Sequence, residues 1–183
     1  IIITSSKGLV VSSMVASALA FITNLARGLH YSQDLRRKGI MTRESFDDYY
    51  HKVHELCGER CLIVGFGDVG KRLAYVLKAL DMRVSAISKS DCINNDIDNF
   101  YTLSDLSVAV KDADYVVNLL PLNSQTEKIF KRDIFSKMKS SAFFINIGRG
   151  EVVDEESLID ALRKNIISGA GLDVFEKEPL KLD

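Results

Sequence analysis

A glycine-rich pattern that can hold a diphosphate follows the first short apolar run of the chain. The segment is Gly65-Phe66-Gly67-Asp68-Val69-Gly70. In such a pattern Gly65 permits a tight turn, Gly67 lets the backbone approach a pyrophosphate, and Gly70 lets the next helix pack closely on the strand. A helix that begins here directs its unpaired N–H groups at the phosphates. We therefore predict that all six residues border a dinucleotide, rather than forming a simple tight turn.

The second apolar run ends at the residues that would contact the adenosine ribose. In NAD sites an acidic residue about 20 positions after the glycine loop binds the ribose 2′-hydroxyl. Here the run ends in Ser88, Lys89 and Ser90, whose hydroxyls and positive charge suit a 2′-phosphate. NADP is therefore favoured over NAD. NAD stays open because Asp91 could serve as the ribose acid if the loop turns early.

Apolar runs and amphipathic segments alternate from residue 61 onward. We predict strands at 61–64, 83–87, 115–120, 142–147 and 166–172, and helices at 69–80, 104–111, 132–138 and 154–165. The Asn/Asp-rich stretch 91–99 is predicted to be a loop. Nearly continuous apolar strands separated by helices are typical of a parallel sheet that is covered on both faces. Residues 58–183 are thus predicted to form a doubly wound α/β domain of the Rossmann type.

The first 57 residues have a different pattern. Apolar residues occupy almost the whole circumference of a helix at 9–29, so we predict a long helix buried between two layers. Residues 31–59 are polar and mixed in charge, and we predict a loop with a short helix near 43–53. This part is expected to be an interdomain helix and a linker into the sheet.

The net charge and the length of the apolar runs argue against nucleic-acid and membrane partners. The net charge is −1, with no long basic run, so there is no electrostatic footprint for nucleic acid or anionic membrane. The longest apolar run, 14–26, is too short to cross a bilayer. Small molecules or proteins are the expected partners.

The cysteines favour a reducing compartment, and hence the cytoplasm. Cys57, Cys61 and Cys92 are odd in number and lack the spacing of a disulfide framework. The first two could be drawn with His51 and His54 as a zinc site, but their spacing is not one that zinc sites use. No metal is expected.

Three later segments resemble the signatures of the D-isomer-specific 2-hydroxyacid dehydrogenase family. They contain Asn118-Leu119-Leu120-Pro121-Leu122, Asn146-Ile147-Gly148-Arg149-Gly150 and Gly171-Leu172-Asp173-Val174-Phe175. With the phosphate loop and the early helix that ends at Arg27, they cover nearly the whole chain in the family's order. The resemblance implies an oxidoreductase that transfers hydride between NAD(P) and a small 2-oxo or D-2-hydroxy acid.

The resemblance also assigns roles to residues. Arg149 would bind the substrate carboxylate and polarise the 2-oxo group, for which a planar guanidinium is suited. Glu178 would hold the imidazolium form of a catalytic histidine. Asp173 would lie near the nicotinamide carboxamide. The other residues that would border the cofactor are Leu120, Pro121, Thr126, Ile147 and Gly148.

The chain also departs from the family and raises expectations about its ends. Relatives commonly have Ser or Ala where Gly148 stands, and Asp68 places a negative charge in the phosphate loop. Because the chain begins with Ile1, we expect further residues upstream. The catalytic histidine is expected beyond Asp183, and the substrate-binding domain outside the chain, so the fragment alone is expected to be inactive.

The resemblance implies a homodimer. Two alternatives to an active enzyme stay open. One is a degenerate or truncated gene product without activity, against which the intact set of Gly65, Gly67, Gly70, Arg149 and Glu178 argues. The other is a non-catalytic binding protein. Corepressor-like relatives use the same fold without catalysis, as dinucleotide-sensing scaffolds for protein partners, and turnover with a 2-oxo acid would separate them from an enzyme. The identity of the acid depends mainly on the substrate-binding domain.

Overall fold

A parallel β-sheet forms the centre of the molecule. The computed structural model describes residues 8–40, 42–50, 53–89 and 94–180. Within them lie strands β1 (Arg60–Val64), β2 (Arg83–Ile87), β3 (Asn99–Tyr101), β4 (Tyr115–Asn118), β5 (Phe143–Asn146) and β6 (Gly169–Leu172). The strand order is β3-β2-β1-β4-β5-β6, and every pairing is parallel. The predicted doubly wound α/β fold is confirmed, and all strands end at one edge of the sheet.

Helices cover both faces of this sheet. They are α1 (Val11–Arg27), α2 (Leu29–Arg37), α3 (Arg43–Tyr50), α4 (Asp68–Lys78), α5 (Leu106–Ala109), α6 (Arg132–Phe135) and α7 (Glu155–Arg163). Successive side chains of a strand point to opposite faces. Thus Cys61 and Ile63 of β1 join the core beneath α1 and α4, whereas Leu62 and Val64 join the core beneath α5, α6 and α7. Burial on both faces explains why the central strands are almost wholly apolar.

Strand β3 was not predicted from the sequence. Of the predicted loop 91–99, residues 94–98 are loop in the described part, whereas Asn99 begins the strand. The strand has three residues and pairs with β2, with Ser85 opposite Asn99. Asp98 anchors its start, because Oδ2 accepts a hydrogen bond of 2.7 Å from the backbone N–H of Val84 and Oδ1 lies 2.9 Å from Lys78 Nζ. A polar, three-residue edge strand carries too few apolar residues to produce a periodic signal.

Helix α2 corrects the prediction of a loop after residue 31. The helix contains no buried residue, so it lacks the apolar stripe by which amphipathic helices are recognised. It is joined to α3 by an aromatic contact, since the rings of Tyr31 and Tyr49 stack with their centroids 4.3 Å apart.

Helix α1 packs on the sheet with one side only. Ala18, Ile22 and Ala26 are fully buried against it, whereas Leu9 and Val10, just before the helix, are 80% and 54% exposed. The described residues thus supply a covering layer on one side only, and the prediction of a second layer stays a prediction. No helix in that part is long and apolar enough to cross a membrane.

Candidate dinucleotide-binding site

Three loops meet at the edge where the strands end. The last residue of β1, Val64, is in register with Ile87 of β2 and Asn118 of β4. The loops that follow these strands therefore start side by side, as expected at the switch point of a doubly wound sheet. Together with the segment after β3, they enclose a cleft of about 750 Å³. Its lining includes Gly65, Phe66, Gly67, Ser88, Lys89, Leu120, Pro121 and Thr126 from the predicted site, together with Thr102, Ser104, Asn123 and Gln125.

The glycine loop has the geometry that its sequence predicts. Gly65 has a φ of 109°, which side chains rarely adopt, and a Cβ there would lie 3.0 Å from the carbonyl carbon of Leu119. A Cβ on Gly70 would lie 2.6 Å from Gly65 O, so only glycine fits where α4 crosses the strand. In contrast, nothing lies within 4 Å of a Cβ built on Gly67. This open space lies in front of the first turn of α4, where a pyrophosphate would fit.

The side chains between these glycines support the loop from beneath. Phe66 is 8% exposed, and its ring lies edge-on to Phe100 with a centroid distance of 5.3 Å. Val69 packs against the same core. We conclude that these two residues offer mainly their backbone to a ligand, whereas Asp68 is exposed at the start of α4.

Lys89 provides positive charge at the end of β2. It is exposed and is the one charged residue among the described residues that line the cleft. Ser88 precedes it in the same lining, but Ser90 and Asp91 lie outside the described residues. The part of the ribose end that is described therefore carries a cation and a hydroxyl.

Thr102 and Ser104, after β3, form a wall that sequence reasoning missed. The Thr102 hydroxyl lies 2.7 Å from Ser104 Oγ and donates a hydrogen bond of 2.6 Å to Asp105 Oδ2. Together with a bond from the backbone N–H of Thr102, this contact holds the pKa of Asp105 below its usual value. The sequence analysis missed these two residues because it did not predict strand β3, which places them at the edge of the sheet.

The predicted residue Thr126 shapes the loop after β4. Its hydroxyl donates to Pro121 O at 2.6 Å and accepts from the backbone N–H of Asn123 at 2.9 Å, and the residue is 1% exposed. Its hydroxyl is thus used to fold the loop. Leu120 is buried and Pro121 is exposed at the rim of the cleft.

Arg149 lies in the next loop, after β5. Its side chain is exposed, and Nη1 donates a hydrogen bond of 2.7 Å to Gly148 O. The preceding Ile147 is buried. The neighbouring strand end contributes Asp173, which is exposed and donates its backbone N–H to Asn146 O at 2.9 Å.

Glu178 belongs to the loop that follows β6. It is exposed, and Oε1 accepts a hydrogen bond of 2.9 Å from the backbone N–H of Phe175. The loop is held at Glu176, which lies 3.0 Å from Lys128 Nζ and donates its backbone N–H to Glu155. Within the described residues, no hydrogen bond or ion pair joins Arg149 to Glu178. The structure places them in adjacent loops without direct contact.

Two buried asparagines at this edge were not predicted as site residues. Asn118 ends β4 and Asn146 ends β5, both are 0% exposed, and a hydrogen bond of 2.9 Å joins their side chains. A signal was available in the sequence, because each is a lone amide at the end of an apolar strand. In the described parts of the chain, no group of three or more His, Cys, Asp or Glu side chains could hold a metal ion.

A glycine cradle before a helix, at the carboxyl edge of a doubly wound sheet, defines a dinucleotide-binding domain. The family model for the NAD-binding domain of D-isomer specific 2-hydroxyacid dehydrogenases matches residues 19–183. The chain therefore belongs to this family. The resemblance noted from its signatures is confirmed.

Similar proteins support this assignment. A probable 2-ketogluconate reductase of Dictyostelium discoideum is 37% identical over 175 residues, which are 93% of this chain and 51% of the relative. A D-isomer specific 2-hydroxyacid dehydrogenase from Xanthobacter autotrophicus, solved with NADPH, is 28% identical with a TM-score of 0.85, covering 99% of this chain and 72% of that one. An NADPH-dependent glyoxylate/hydroxypyruvate reductase from Sinorhizobium meliloti, solved with NADP, is 26% identical with a TM-score of 0.82, covering 95% and 54%.

The chain spans about half the length of the curated relative, at 51%. The names of all three proteins describe enzymes that act on hydroxy or oxo acids. They give no support to the alternative of a non-catalytic scaffold.

Proposed function

We propose that this chain is the cofactor-binding part of an NADPH-dependent D-2-hydroxyacid dehydrogenase that reduces a small 2-oxo acid. The observation that carries the proposal is the placement of an open phosphate cradle at Gly67 on the same sheet edge as the exposed Arg149. The names of the relatives support a glyoxylate, hydroxypyruvate or sugar-acid substrate.

The cofactor would lie across the cleft with its ends assigned by charge. The N–H groups at the start of α4 would bind the pyrophosphate. Lys89 and Ser88 would bind the 2′-phosphate, since Lys89 supplies the positive charge in the lining. Leu120 and Ile147 would exclude water from the nicotinamide end, which Asp173 would orient. The bound dinucleotide would supply a hydride to C2 of the acid.

Arg149 and Glu178 would handle the substrate's charge and proton. The guanidinium of Arg149 would bind the carboxylate and draw electrons towards the 2-oxo oxygen. As C2 gains the hydride, the electron pair of the carbonyl bond moves to that oxygen, which takes a proton from the histidine that the family uses as acid. Glu178 would keep this histidine protonated.

Turnover by the complete protein tests this proposal. We expect oxidation of NADPH, followed by nicotinamide absorbance, with glyoxylate, hydroxypyruvate, pyruvate or phenylpyruvate. Arg149→Ala is expected to lower kcat/KM by about 10³-fold, as loss of a charge-stabilising donor does. Arg163→Ala is the matched control, because Arg163 is an exposed arginine of α7. Saturable NADPH binding without oxidation by any acid would refute the dehydrogenase and favour a sensing scaffold.

We also propose a cytoplasmic homodimer. Cys57 and Cys61 are free thiols, which supports a reducing compartment. Leu9 and Val10, just before α1, expose apolar surface, which supports association of two copies. Light scattering of the complete protein would contradict the dimer if it gave a monomer mass at micromolar concentration.

A further inference from the structure

Asn118 and Asn146 occupy equivalent places on neighbouring strands. They are in register as the last residues of β4 and β5, and both are fully buried. A buried amide is costly unless its donors and acceptors are paired. The positions therefore demand specific partners, and the structure supplies them from the two loops that follow.

The two carboxamides join those loops through a connected set of hydrogen bonds. Asn118 Nδ2 donates to Asn146 Oδ1 at 2.9 Å. Asn118 Oδ1 accepts from the backbone N–H of Leu120 at 3.1 Å, in the wall of the cofactor cleft. Asn146 Oδ1 also accepts from the backbone N–H of Gly148 at 3.1 Å, and Asn146 Nδ2 donates to Arg149 O at 3.1 Å.

Gly148 shows how closely the two loops approach each other. A Cβ at this position would lie 2.7 Å from Leu120 O and 3.2 Å from Asn118 Nδ2. Both atoms belong to the segment that runs from Asn118, the last residue of β4, into the following loop. The nearer atom, Leu120 O, is a backbone atom and cannot rotate away. The arginine loop thus packs on the cleft wall without space for a methyl group.

We propose that the Asn118–Asn146 pair is a bridge that positions Arg149 relative to the wall of the cofactor cleft, so that the two loops move as one unit. The role of Arg149 towards substrate rests on the proposed function. The bridge itself rests only on the buried amides and their partners. Asn118 acts here through Arg149 and is a positioning residue.

Hydrogen exchange tests the bridge without any activity. Asn118→Leu keeps the branched shape but removes the side-chain amide, so that Asn146 Oδ1 loses its hydrogen bond from Asn118 Nδ2. Because the same oxygen accepts from the backbone N–H of Gly148, we expect that N–H to exchange about tenfold faster. The control is Thr126→Val, which removes a buried hydroxyl from the same cleft wall. Thr126→Val is expected to speed amide exchange only in the loop after β4, which forms the cleft wall, and not at Gly148. Gly148 exchange within about twofold of wild type in Asn118→Leu would overturn the bridge.

A second variant covers the case in which Asn118→Leu does not fold. Gly148→Ala keeps both asparagines and forces the loops apart through its Cβ. We expect faster exchange at both Leu120 and Gly148. Faster exchange at Gly148 alone would mean that the loops are not linked, and would overturn the proposal.

A double-mutant cycle on the complete enzyme tests whether Asn118 acts through Arg149. Asn118→Leu is expected to lower kcat/KM for the 2-oxo acid about tenfold in wild type but less than about twofold in an Arg149→Lys background. Full additivity would show a merely structural role and contradict the positioning claim. If no acid is reduced at all, the proposed function fails, while the exchange experiment still decides the bridge.

Discussion

The backbone of Phe175 lies directly against Gly150, so that a Cβ added to Gly150 would collide with the carbonyl group of Phe175. This contact seats the loop after β6, which carries Glu178, on the loop that carries Arg149. Because the neighbour is backbone rather than a flexible side chain, an added methyl group cannot be accommodated by a rotamer change.

Gly150→Ala should therefore destabilise the chain. Overpacking in a tight contact costs about 1–3 kcal/mol, and the loop of Glu178 should be displaced. Thermal unfolding followed by circular dichroism measures the loss. Gly67→Ala is the matched control, because nothing lies within 4 Å of its Cβ. Equal melting temperatures for the two variants would contradict the packing of Gly150 on Phe175.

The same Gly67→Ala variant should instead weaken cofactor binding. The space that its methyl group would fill is the place assigned to the pyrophosphate, so we expect the Kd for NADPH to rise about tenfold or more, which is about 1.4 kcal/mol. Titration followed by nucleotide fluorescence measures this change. An unchanged Kd would show that the pyrophosphate does not approach Gly67.

Lys89→Ala should change cofactor preference. Loss of one charge-assisted hydrogen bond to a 2′-phosphate should raise the Kd for NADPH about tenfold and leave the Kd for NADH nearly unchanged. Lys111→Ala, an exposed lysine away from the cleft, should affect neither. If Lys89→Ala weakened both cofactors equally, Lys89 would not face the 2′-phosphate.

A carboxyl pair at the opposite edge of the sheet should make stability depend on pH. Burial raises the pKa of Glu59 to about 7, and the negative charge of Asp114, which shares a hydrogen bond with it, adds to the shift. Burial alone would also raise the pKa of Asp114, but hydrogen bonds from Lys139 Nζ and the backbone N–H of Arg60 hold it below its usual value. Below about pH 7, a proton thus remains on Glu59 in the folded chain.

The sign of the effect follows from proton counting. Between the unfolded pKa of 4.5 and the folded value of about 7, folded Glu59 binds a proton that the unfolded chain releases. Stability from this group is fully present below that window and is lost as pH rises through it. We expect the melting temperature of wild type to fall between about pH 4.5 and about pH 7. Glu59→Gln should reduce this fall in melting temperature. Glu55 is an exposed glutamate nearby, so Glu55→Gln should keep the fall. Parallel profiles of melting temperature against pH for wild type and both variants would contradict this account.

The sequence predicted those elements whose residues are buried on both faces. The apolar runs at β1, β4 and β5 are unmistakable because each strand lies between two helical layers. Strand β3 and helix α2 were missed because a polar edge strand and an exposed helix bury too little apolar surface to impose a period.

For the candidate site, motifs predicted positions better than they predicted contacts. The glycine pattern specified the turn at Gly65 and the open space at Gly67, because these roles follow from backbone geometry. The use of the Thr126 hydroxyl within its own loop and the pairing of Asn118 with Asn146 depend on how two loops pack. Such tertiary contacts leave only the lone polar residue as a sequence signal.

A crystal structure of this chain with NADPH tests the central claim most directly. The account predicts the pyrophosphate against the first turn of α4 beside Gly67 and the 2′-phosphate within hydrogen-bond distance of Lys89 Nζ. It predicts the nicotinamide on the surface that the packed loops of Leu120 and Arg149 form together. A dinucleotide bound elsewhere, or a cleft that stays empty at saturating NADPH, would contradict it.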